Sequence, residues 1–152
     1  MKVLSQADWD RYFLVLAKLT ALRRSEDPST KVGAVIALEN RVITTGYNRF
    51  APGVLRTPER VHNRDMKYRV TIHGEMDAIL KVGASLLNHT LYTWPFLCCS
   101  RCAAMVIHAG FVRVVAPKPT NDLAERWGED MVLARQQFSE ARVRCEELDF
   151  ER

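Results

Sequence analysis

The sequence predicts an α/β protein, a three-layer α/β/α sandwich with a mixed five-stranded sheet. Its 152 residues are enough for one hydrophobic core, so we expect a single domain over residues 1–152. A hairpin pattern comes early in the chain, and strands alternate with helices after it. Alternating β and α segments favour parallel strands with helices packed on both faces of the sheet.

The first predicted element is an amphipathic helix over Gln6–Arg24. Ser5 is the expected N-cap, and Asp8 puts a carboxylate in the first turn, where it suits the helix dipole. Pro28 disfavours helical backbone at the residue before it and so separates this helix from the next element. Apolar side chains at spacings of three and four predict the core-facing stripe, which is Trp9, Phe13, Leu16 and Leu19.

Two strands joined by a tight turn at Glu39-Asn40 follow, over residues 32–38 and 41–47. The first is small and apolar and the second is β-branched, as expected of a hairpin. Residues 49–70 are predicted to be irregular, with one helical turn at residues 65–68. This segment carries six Lys or Arg residues, and loops of this length in a compact domain are usually functional or disordered.

The second half of the chain alternates helices with strands. The predicted helices cover residues 74–82, 100–109 and 122–141. The predicted strands cover residues 90–94, 111–116 and 143–148, the last of them an edge strand. Gly83 and Gly110 are the expected stop signals of the first two helices. Met76, Ile79 and Leu80 are expected to face the core.

Composition limits the classes of function. The formal charge of +4 comes without a long Lys/Arg block, so we expect no nucleic-acid partner. The sequence has no apolar run near ~18 residues and no secretion signal, so we expect no membrane span. Three of the four cysteines fall between positions 98 and 102, a spacing that suits a metal site in a reducing compartment. We therefore expect a cytoplasmic protein.

Two short motifs carry the chemistry, His73-Gly74-Glu75 and Cys99-Ser100-Arg101-Cys102. One imidazole and two thiolates suit a tetrahedral Zn²⁺ whose fourth position is left for water. Zinc lowers the pKa of that water towards about 7, and Glu75 can then move its proton as a general acid–base. A structural zinc would have no use for Glu75, and the H-x-E and C-x-x-C pattern is the signature of zinc deaminases.

The spacing leaves one ligand open, because Cys98 and Cys102, four residues apart, could also share the metal. It also leaves open a non-catalytic nucleotide-binding protein that keeps zinc for stability, although Glu75 argues against that interpretation. An RNA editor is disfavoured because it needs a broader basic face and aromatic stacking platforms.

The chain resembles the cytidine/deoxycytidylate deaminase superfamily, and within it the deoxycytidylate (dCMP) deaminases. The similarity extends over about nine tenths of the chain. It is carried by the segments RSEDPSTKVGA (24–34), GYN (46–48), KY (67–68), HGEMDAI (73–79) and CSRCA (99–103). This chain has Gly74 where the family usually has Ala, Cys98 where it has Pro, and Arg49 where it has Gly.

The resemblance implies hydrolysis of dCMP to dUMP and ammonia with one Zn²⁺ per subunit, held by His73, Cys99 and Cys102, and with Glu75 as the catalytic residue. A nucleoside, another base or a modified cytosine nucleotide is the alternative substrate. The resemblance also implies a homo-oligomer, often a hexamer, with dCTP as activator and dTTP as inhibitor, bound with Mg²⁺. The substrate contacts that it implies are Asn48, Arg24, Ser25 and Thr30.

Overall fold

The structure is a computed structural model that describes residues 1–151. In chain order its strands are β1 (Gly33–Leu38), β2 (Arg41–Tyr47), β3 (Arg49–Phe50), β4 (Thr71–Ile72), β5 (Thr90–Trp94), β6 (Arg113–Pro117) and β7 (Arg144–Leu148). Its helices are α1 (Gln6–Arg24), α2 (Pro58–His62), α3 (Arg64–Val70), α4 (Gly74–Val82), α5 (Ser100–Ala109) and α6 (Asn121–Glu140).

The main sheet has five strands in the order β2-β1-β5-β6-β7. Strand β1 runs antiparallel to both β2 and β5, whereas β5, β6 and β7 are parallel to one another. The predicted mixed sheet is confirmed, with the hairpin at one edge and β7 at the other. Every residue of β6 is buried, including Arg113, and its apolar residues 114–116 are typical of a strand covered on both faces.

Helices cover both faces of this sheet. Helix α1 packs on one face, where Phe13 and Ala17 meet Val35, Tyr92 and Val115. Helices α4, α5 and α6 pack on the other face and contribute Ala78, Val106 and Phe138 to a second core. The predicted three-layer α/β/α sandwich is therefore confirmed. None of the helices in residues 1–151 combines the length and the apolar character that crossing a membrane requires.

Helix α1 begins as predicted, and most of its predicted core-facing stripe is confirmed: Phe13 is buried, and Trp9 and Leu16 pack against the core. Ser5 and Asp8 form a reciprocal cap, in which the Asp8 N–H donates to Ser5 Oγ at 3.2 Å and the Ser5 N–H donates to Asp8 Oδ2 at 2.8 Å. Leu19, expected in the core, is 52% exposed. The helix instead lies on β1 along its small residues, because a Cβ on Gly33 would be 2.2 Å from the Ala17 carbonyl oxygen.

The prediction of an irregular segment at residues 49–70 is wrong, although the helical turn predicted at residues 65–68 is confirmed within α3. Helices α2 and α3 occupy most of it, and β3 pairs antiparallel with β4 to form a separate two-stranded sheet. Both helices have side-chain caps: Thr57 Oγ1 accepts from the Arg60 N–H at 3.3 Å, and Asn63 Oδ1 accepts from the Met66 N–H at 3.0 Å. Capping side chains satisfy the free amides of a first turn and so make such short helices possible.

Candidate active site

Two helix N-termini deliver the three predicted metal ligands. His73 is the N-cap residue of α4, and Cys99 is the N-cap residue of α5, whose first turn contains Cys102. Helix α5 follows β5 of the main sheet, but α4 follows β4 of the small sheet. Helix α4 therefore does not follow a parallel strand of the main sheet.

Helix α4 reaches the site by packing closely on the hairpin. A Cβ at Gly46 of β2 would lie 2.1 Å from the Gly74 carbonyl oxygen and 2.5 Å from the Ala78 amide nitrogen. Only glycine leaves room for this approach, so Gly46 sets the distance between β2 and the first turn of α4. That turn contains Glu75 and directly follows His73.

The ligand atoms have the spacing of a tetrahedral metal site. His73 Nδ1 lies 3.5 Å from Cys99 Sγ and 3.4 Å from Cys102 Sγ, and the three ligand atoms all lie within 4.8 Å of one another. A tetrahedral zinc with bonds of about 2.05 Å to nitrogen and about 2.3 Å to sulfur separates those atoms by about 3.6 Å. The residues present therefore fit zinc in both chemistry and spacing.

The two adjacent cysteines differ in environment. The hydrogen bond with the Cys102 side chain, with a further contribution from His73, lowers the pKa of Cys99 to about 4 despite its burial. Burial raises the pKa of the neighbouring Cys98 thiol well above its usual range. Of the two sulfur atoms, that of Cys99 lies 3.5 Å from His73 Nδ1 and within the ligand cluster, which favours Cys99 over Cys98 as the ligand. The ligand group found among the described residues contains Cys99 and Cys102.

Glu75 is 3% exposed and lines the same pocket as His73 and Cys99. Burial raises the pKa of its carboxyl group above the usual value, although the charge of His73 opposes that effect. A carboxyl group with a raised pKa can accept and return a proton near neutral pH. The position of Glu75 is thus suited to proton transfer at the metal centre.

The pocket is lined by candidate metal ligands and by aromatic side chains. The Phe96 and Trp127 rings stack, with centroids 6.3 Å apart and planes 18° apart, and Tyr68 meets Trp127 edge-on at 5.9 Å. The residues that line the pocket are Asp27, Thr30, Val32, Asn48, Tyr68, Thr71, His73, Glu75, Phe96, Cys98, Cys99 and Trp127. A flat aromatic ring system beside a metal centre can hold a planar heterocycle.

The four predicted substrate contacts divide into two pairs. Asn48 and Thr30 line the pocket, and Asn48 links its parts: its Nδ2 donates to the Thr30 carbonyl at 3.3 Å, and its Oδ1 accepts from the Gly74 N–H at 2.9 Å. Arg24 instead donates to the Tyr47 hydroxyl at 3.1 Å. The Ser25 hydroxyl accepts from the Asp27 N–H at 3.3 Å. The structure does not bring the Arg24 and Ser25 side chains to the lining of this pocket.

Sequence reasoning missed two parts of the site. Asp27 lines the pocket, and its carboxylate pairs with Lys67, which looked like one more cation of a basic loop. The D-P-S-T sequence after Arg24-Ser25-Glu26 is a turn signal that could have drawn attention to Asp27. Trp127 comes from α6, and its helix pattern contains no signal that places it at the pocket.

Comparison with known proteins identifies the family. A family model described as "Cytidine and deoxycytidylate deaminase zinc-binding region" matches residues 7–118. The chain is 36% identical over 135 residues to the "Uncharacterized deaminase in luxG 3'region" of Aliivibrio fischeri, a match that covers 89% of this chain and 90% of that protein. It is 35% identical over 115 residues to the deoxycytidylate deaminase of Mus musculus, covering 71% of this chain and 64% of the mouse protein.

A solved structure supports the fold. The dCMP deaminase of cyanophage S-TIM5, determined in complex with dCMP and dUMP, matches with a TM-score of 0.72 over 96% of this chain and 100% of that chain, at 18% identity. The predicted cytidine-deaminase-like fold is thus confirmed. The matched residues 7–118 include His73, Glu75, Cys99 and Cys102. The chain therefore belongs to the family of the cytidine and deoxycytidylate deaminase zinc-binding region.

Proposed function

We propose that the chain is a zinc-dependent hydrolytic deaminase that converts dCMP and water to dUMP and ammonia. The observation that carries the proposal is the buried Glu75 carboxyl in one pocket with the His73, Cys99 and Cys102 cluster. Relatives named deoxycytidylate deaminase support dCMP as the substrate. The product would supply dUMP for dTMP synthesis.

The proposed mechanism uses the residues in distinct roles. When bound by His73, Cys99 and Cys102, zinc supplies a water that is activated as a nucleophile at neutral pH. Glu75 accepts a proton from that water and donates one to N3 of cytosine while oxygen attacks C4. It then accepts the second proton of that water, from the hydroxyl oxygen now bonded to C4, and passes it to the amine. The C4=O bond forms as the C4–N bond breaks, and the amine leaves as ammonia. Burial keeps the pKa of Glu75 raised, so that this carboxyl group can hold each proton between accepting it and donating it.

The proposed substrate contacts follow the pocket. The base lies against Phe96 and Trp127, and Asn48 and Thr30 contact the sugar. Arg24 and Ser25 are proposed near the phosphate on the family resemblance, and contact from either would require a rearrangement of its hydrogen bond to Tyr47 or Asp27.

Further properties are proposed from the sequence and from the family resemblance. They are one deaminase domain over residues 1–152, a cytoplasmic location, a homo-oligomer such as a hexamer, and regulation by dCTP and dTTP with Mg²⁺. The expected effector region is near Tyr47, whose ring has three cations within 5.4 Å of its centroid, from Arg24, Arg49 and Lys81. Their positive charge is compatible with a triphosphate.

The test of the proposed function is Glu75→Gln in zinc-replete protein. Turnover of dCMP, followed by loss of cytosine absorbance and release of ammonia, is expected to fall by at least about 10²-fold because the amide cannot transfer the proton. Zinc content is expected to stay at one per subunit, since Glu75 is not a ligand. Glu59→Gln, on the exposed helix α2, is the matched control and should retain full activity.

The unmodified protein is tested in parallel on dCMP, CMP, deoxycytidine, 5-modified dCMP and guanine. Preference for dCMP is the expected result. Absence of dCMP turnover in zinc-replete protein would refute the proposed substrate, and full activity of Glu75→Gln would refute the proposed mechanism.

A further inference from the structure

A buried ion pair forms part of the pocket wall. Lys67 Nζ of α3 lies 2.8 Å from Asp27 Oδ1, and the two residues are 5% and 6% exposed. Asp27 lines the pocket together with His73 and Glu75. Removal of Lys67 would leave the charge of Asp27 buried and uncompensated at this pocket.

This ion pair also fixes the loop between α1 and β1. Asp27 Oδ1 accepts from the N–H groups of Ser29 at 2.8 Å and Thr30 at 3.2 Å. Lys67 Nζ donates to Ser29 Oγ at 2.9 Å as well. Lys67 thus stabilises the loop through its contacts with both Asp27 and Ser29, and Thr30 of this loop lines the pocket.

From Thr30 the hydrogen bonds continue to helix α4, whose first turn contains Glu75. The Thr30 carbonyl accepts from Asn48 Nδ2 at 3.3 Å, and Asn48 Oδ1 accepts from the Gly74 N–H at 2.9 Å. Gly74 stands between His73 and Glu75. A continuous path therefore runs from Lys67 through Asp27, Thr30 and Asn48 to the first turn of α4.

The charge of the pair bears on the substrate as well. A nucleoside monophosphate is an anion, and an uncompensated carboxylate in the pocket wall would repel it over several ångströms of partly buried space. The Lys67 ammonium cancels that carboxylate while Asp27 keeps its hydrogen bonds to the loop.

We propose that Lys67 is a positioning and specificity-determining residue that makes the pocket wall electrically neutral for an anionic nucleotide and fixes Thr30 and Asn48 through Asp27. The inference rests on the proposed function, because it assumes a nucleoside monophosphate in this pocket. It assigns Lys67 no contact with the reacting atoms.

The test compares Lys67→Met with the double variant Asp27→Asn/Lys67→Met in zinc-replete protein. Lys67→Met is expected to lower kcat/KM for dCMP by about 30-fold or more, mainly through KM, as loss of one partner of a buried charge pair does. The double variant removes both charges, and the oxygen of the introduced amide can still accept from the loop N–H groups. Its kcat/KM is expected to recover to within about fivefold of the unmodified protein.

Three further measurements make the test specific. Lys67→Arg keeps the positive charge, so its KM for dCMP should lie between that of the unmodified protein and that of Lys67→Met. Zinc content should stay constant in all variants. Arg113→Met breaks a buried pair outside the pocket and is the matched control: KM for dCMP should not change.

A double variant as impaired as Lys67→Met would overturn the inference, because a purely structural role predicts no recovery. Should Lys67→Met not fold, Asp27→Asn alone carries the test, since it keeps the ammonium and should not raise KM. An equal rise of KM in Asp27→Asn and the double variant would also overturn it. Absence of dCMP turnover in the unmodified protein would refute the proposed function instead.

Discussion

Residues 1–151 contain two ion pairs in which both partners are buried, one under α1 and one at the pocket. Under α1, Arg113 Nη1 and Nη2 each lie 2.7 Å from an oxygen of Asp10. At the pocket, Lys67 lies 2.8 Å from one oxygen of Asp27. All four residues are nearly buried, with 4–6% of their surface exposed. Two interactions of similar burial and length therefore occupy very different places.

The difference lies in what else each pair contacts. Asp10 uses both oxygens on Arg113 and accepts from the Tyr92 hydroxyl at 2.7 Å, and Arg113 also bonds to Glu146. This network joins α1 to β5, β6 and β7, and none of its residues lines the pocket. Asp27 Oδ1 instead accepts from loop amides beside the pocket. The same interaction serves stability in one place and substrate positioning in the other.

Breaking the pair under α1 is expected to have the largest effect. Arg113→Met leaves Asp10 buried without its cation, so we expect the free energy of unfolding to fall by about 3–5 kcal/mol. Zinc content and KM for dCMP should stay unchanged in the protein that remains folded. Urea denaturation followed by circular dichroism, with activity measured at a temperature where the variant is folded, gives both quantities.

The control for that variant is Arg11→Met, whose partner Glu151 is 3.9 Å away on the surface. Exposed pairs contribute little, so a change within about 0.5 kcal/mol is expected. A rise in KM on Arg113→Met, without loss of stability, would contradict the division of roles between the two pairs.

Gly33 and Gly46 also differ in whether they support stability alone or the candidate site as well, and the expected loss of stability is smaller. Gly33 packs on Ala17 of α1 and Gly46 packs on Gly74 of α4, and a Cβ at either glycine would lie 2.2 Å or 2.1 Å, respectively, from a backbone oxygen. Gly33→Ala and Gly46→Ala should each lower the free energy of unfolding by about 1–3 kcal/mol through overpacking. Only Gly46→Ala should also lower zinc affinity and kcat, because it displaces the first turn of α4, which follows His73 and contains Glu75.

Zinc affinity is measured by competition with a chromogenic chelator, and kcat on dCMP under saturating substrate. Gly128→Ala is the matched control, since nothing lies within 4 Å of the position that a Cβ would occupy there in α6. That variant should be stabilised by up to about 1 kcal/mol because alanine favours helix. Equal effects of Gly33→Ala and Gly46→Ala on zinc affinity would contradict the role assigned to Gly46.

The sequence predicted the elements whose signals are local. The hairpin, the capped start at Ser5 and the glycine stops of α4 and α5 all depend on residues within a few positions of each other. The metal motif was predictable for a similar reason, because the zinc chemistry needs these residue types at nearly fixed spacing. His73, Cys99 and Cys102 do come together in the structure.

The features that the sequence did not predict depend on distant contacts. Leu80 was expected inside but is 65% exposed, because the close approach of α4 to Gly46 turns Ala78 towards the sheet. Lys67 looked like a solvated cation because its partner is 40 residues away. Trp127 reaches the pocket through the packing of α6 on α5, where Asp130 accepts from the Ser100 N–H at 2.8 Å. Helix periodicity records none of these relations.

The smallest expected effect is on the pH dependence of the unfolding free energy, through the Asp10–Arg113 pair under α1. Burial pushes the pKa of Asp10 up, but hydrogen bonds from Arg113 and Tyr92 outweigh it and hold that pKa below the usual 3.8. A carboxyl group with a lowered pKa in the folded state stabilises fully above the pKa of the unfolded state, near about 3.9, and loses this contribution as pH falls through its folded pKa.

Arg113→Met removes the strongest of those hydrogen bonds, so burial should then raise the pKa of Asp10. Protonation of Asp10 at low pH relieves the uncompensated charge in the variant, whereas in the unmodified protein it breaks the ion pair. The difference in unfolding free energy between the two proteins should therefore be largest near pH 7. It should narrow as pH falls, first through the raised Asp10 pKa of the variant and then, below about pH 4, through the lowered Asp10 pKa of the unmodified protein. Urea denaturation at about pH 7, 5, 4 and 3 measures it, with Arg11→Met as the control whose difference stays near zero. A difference that stayed constant across this range would mean that the Asp10 charge is not what Arg113 stabilises.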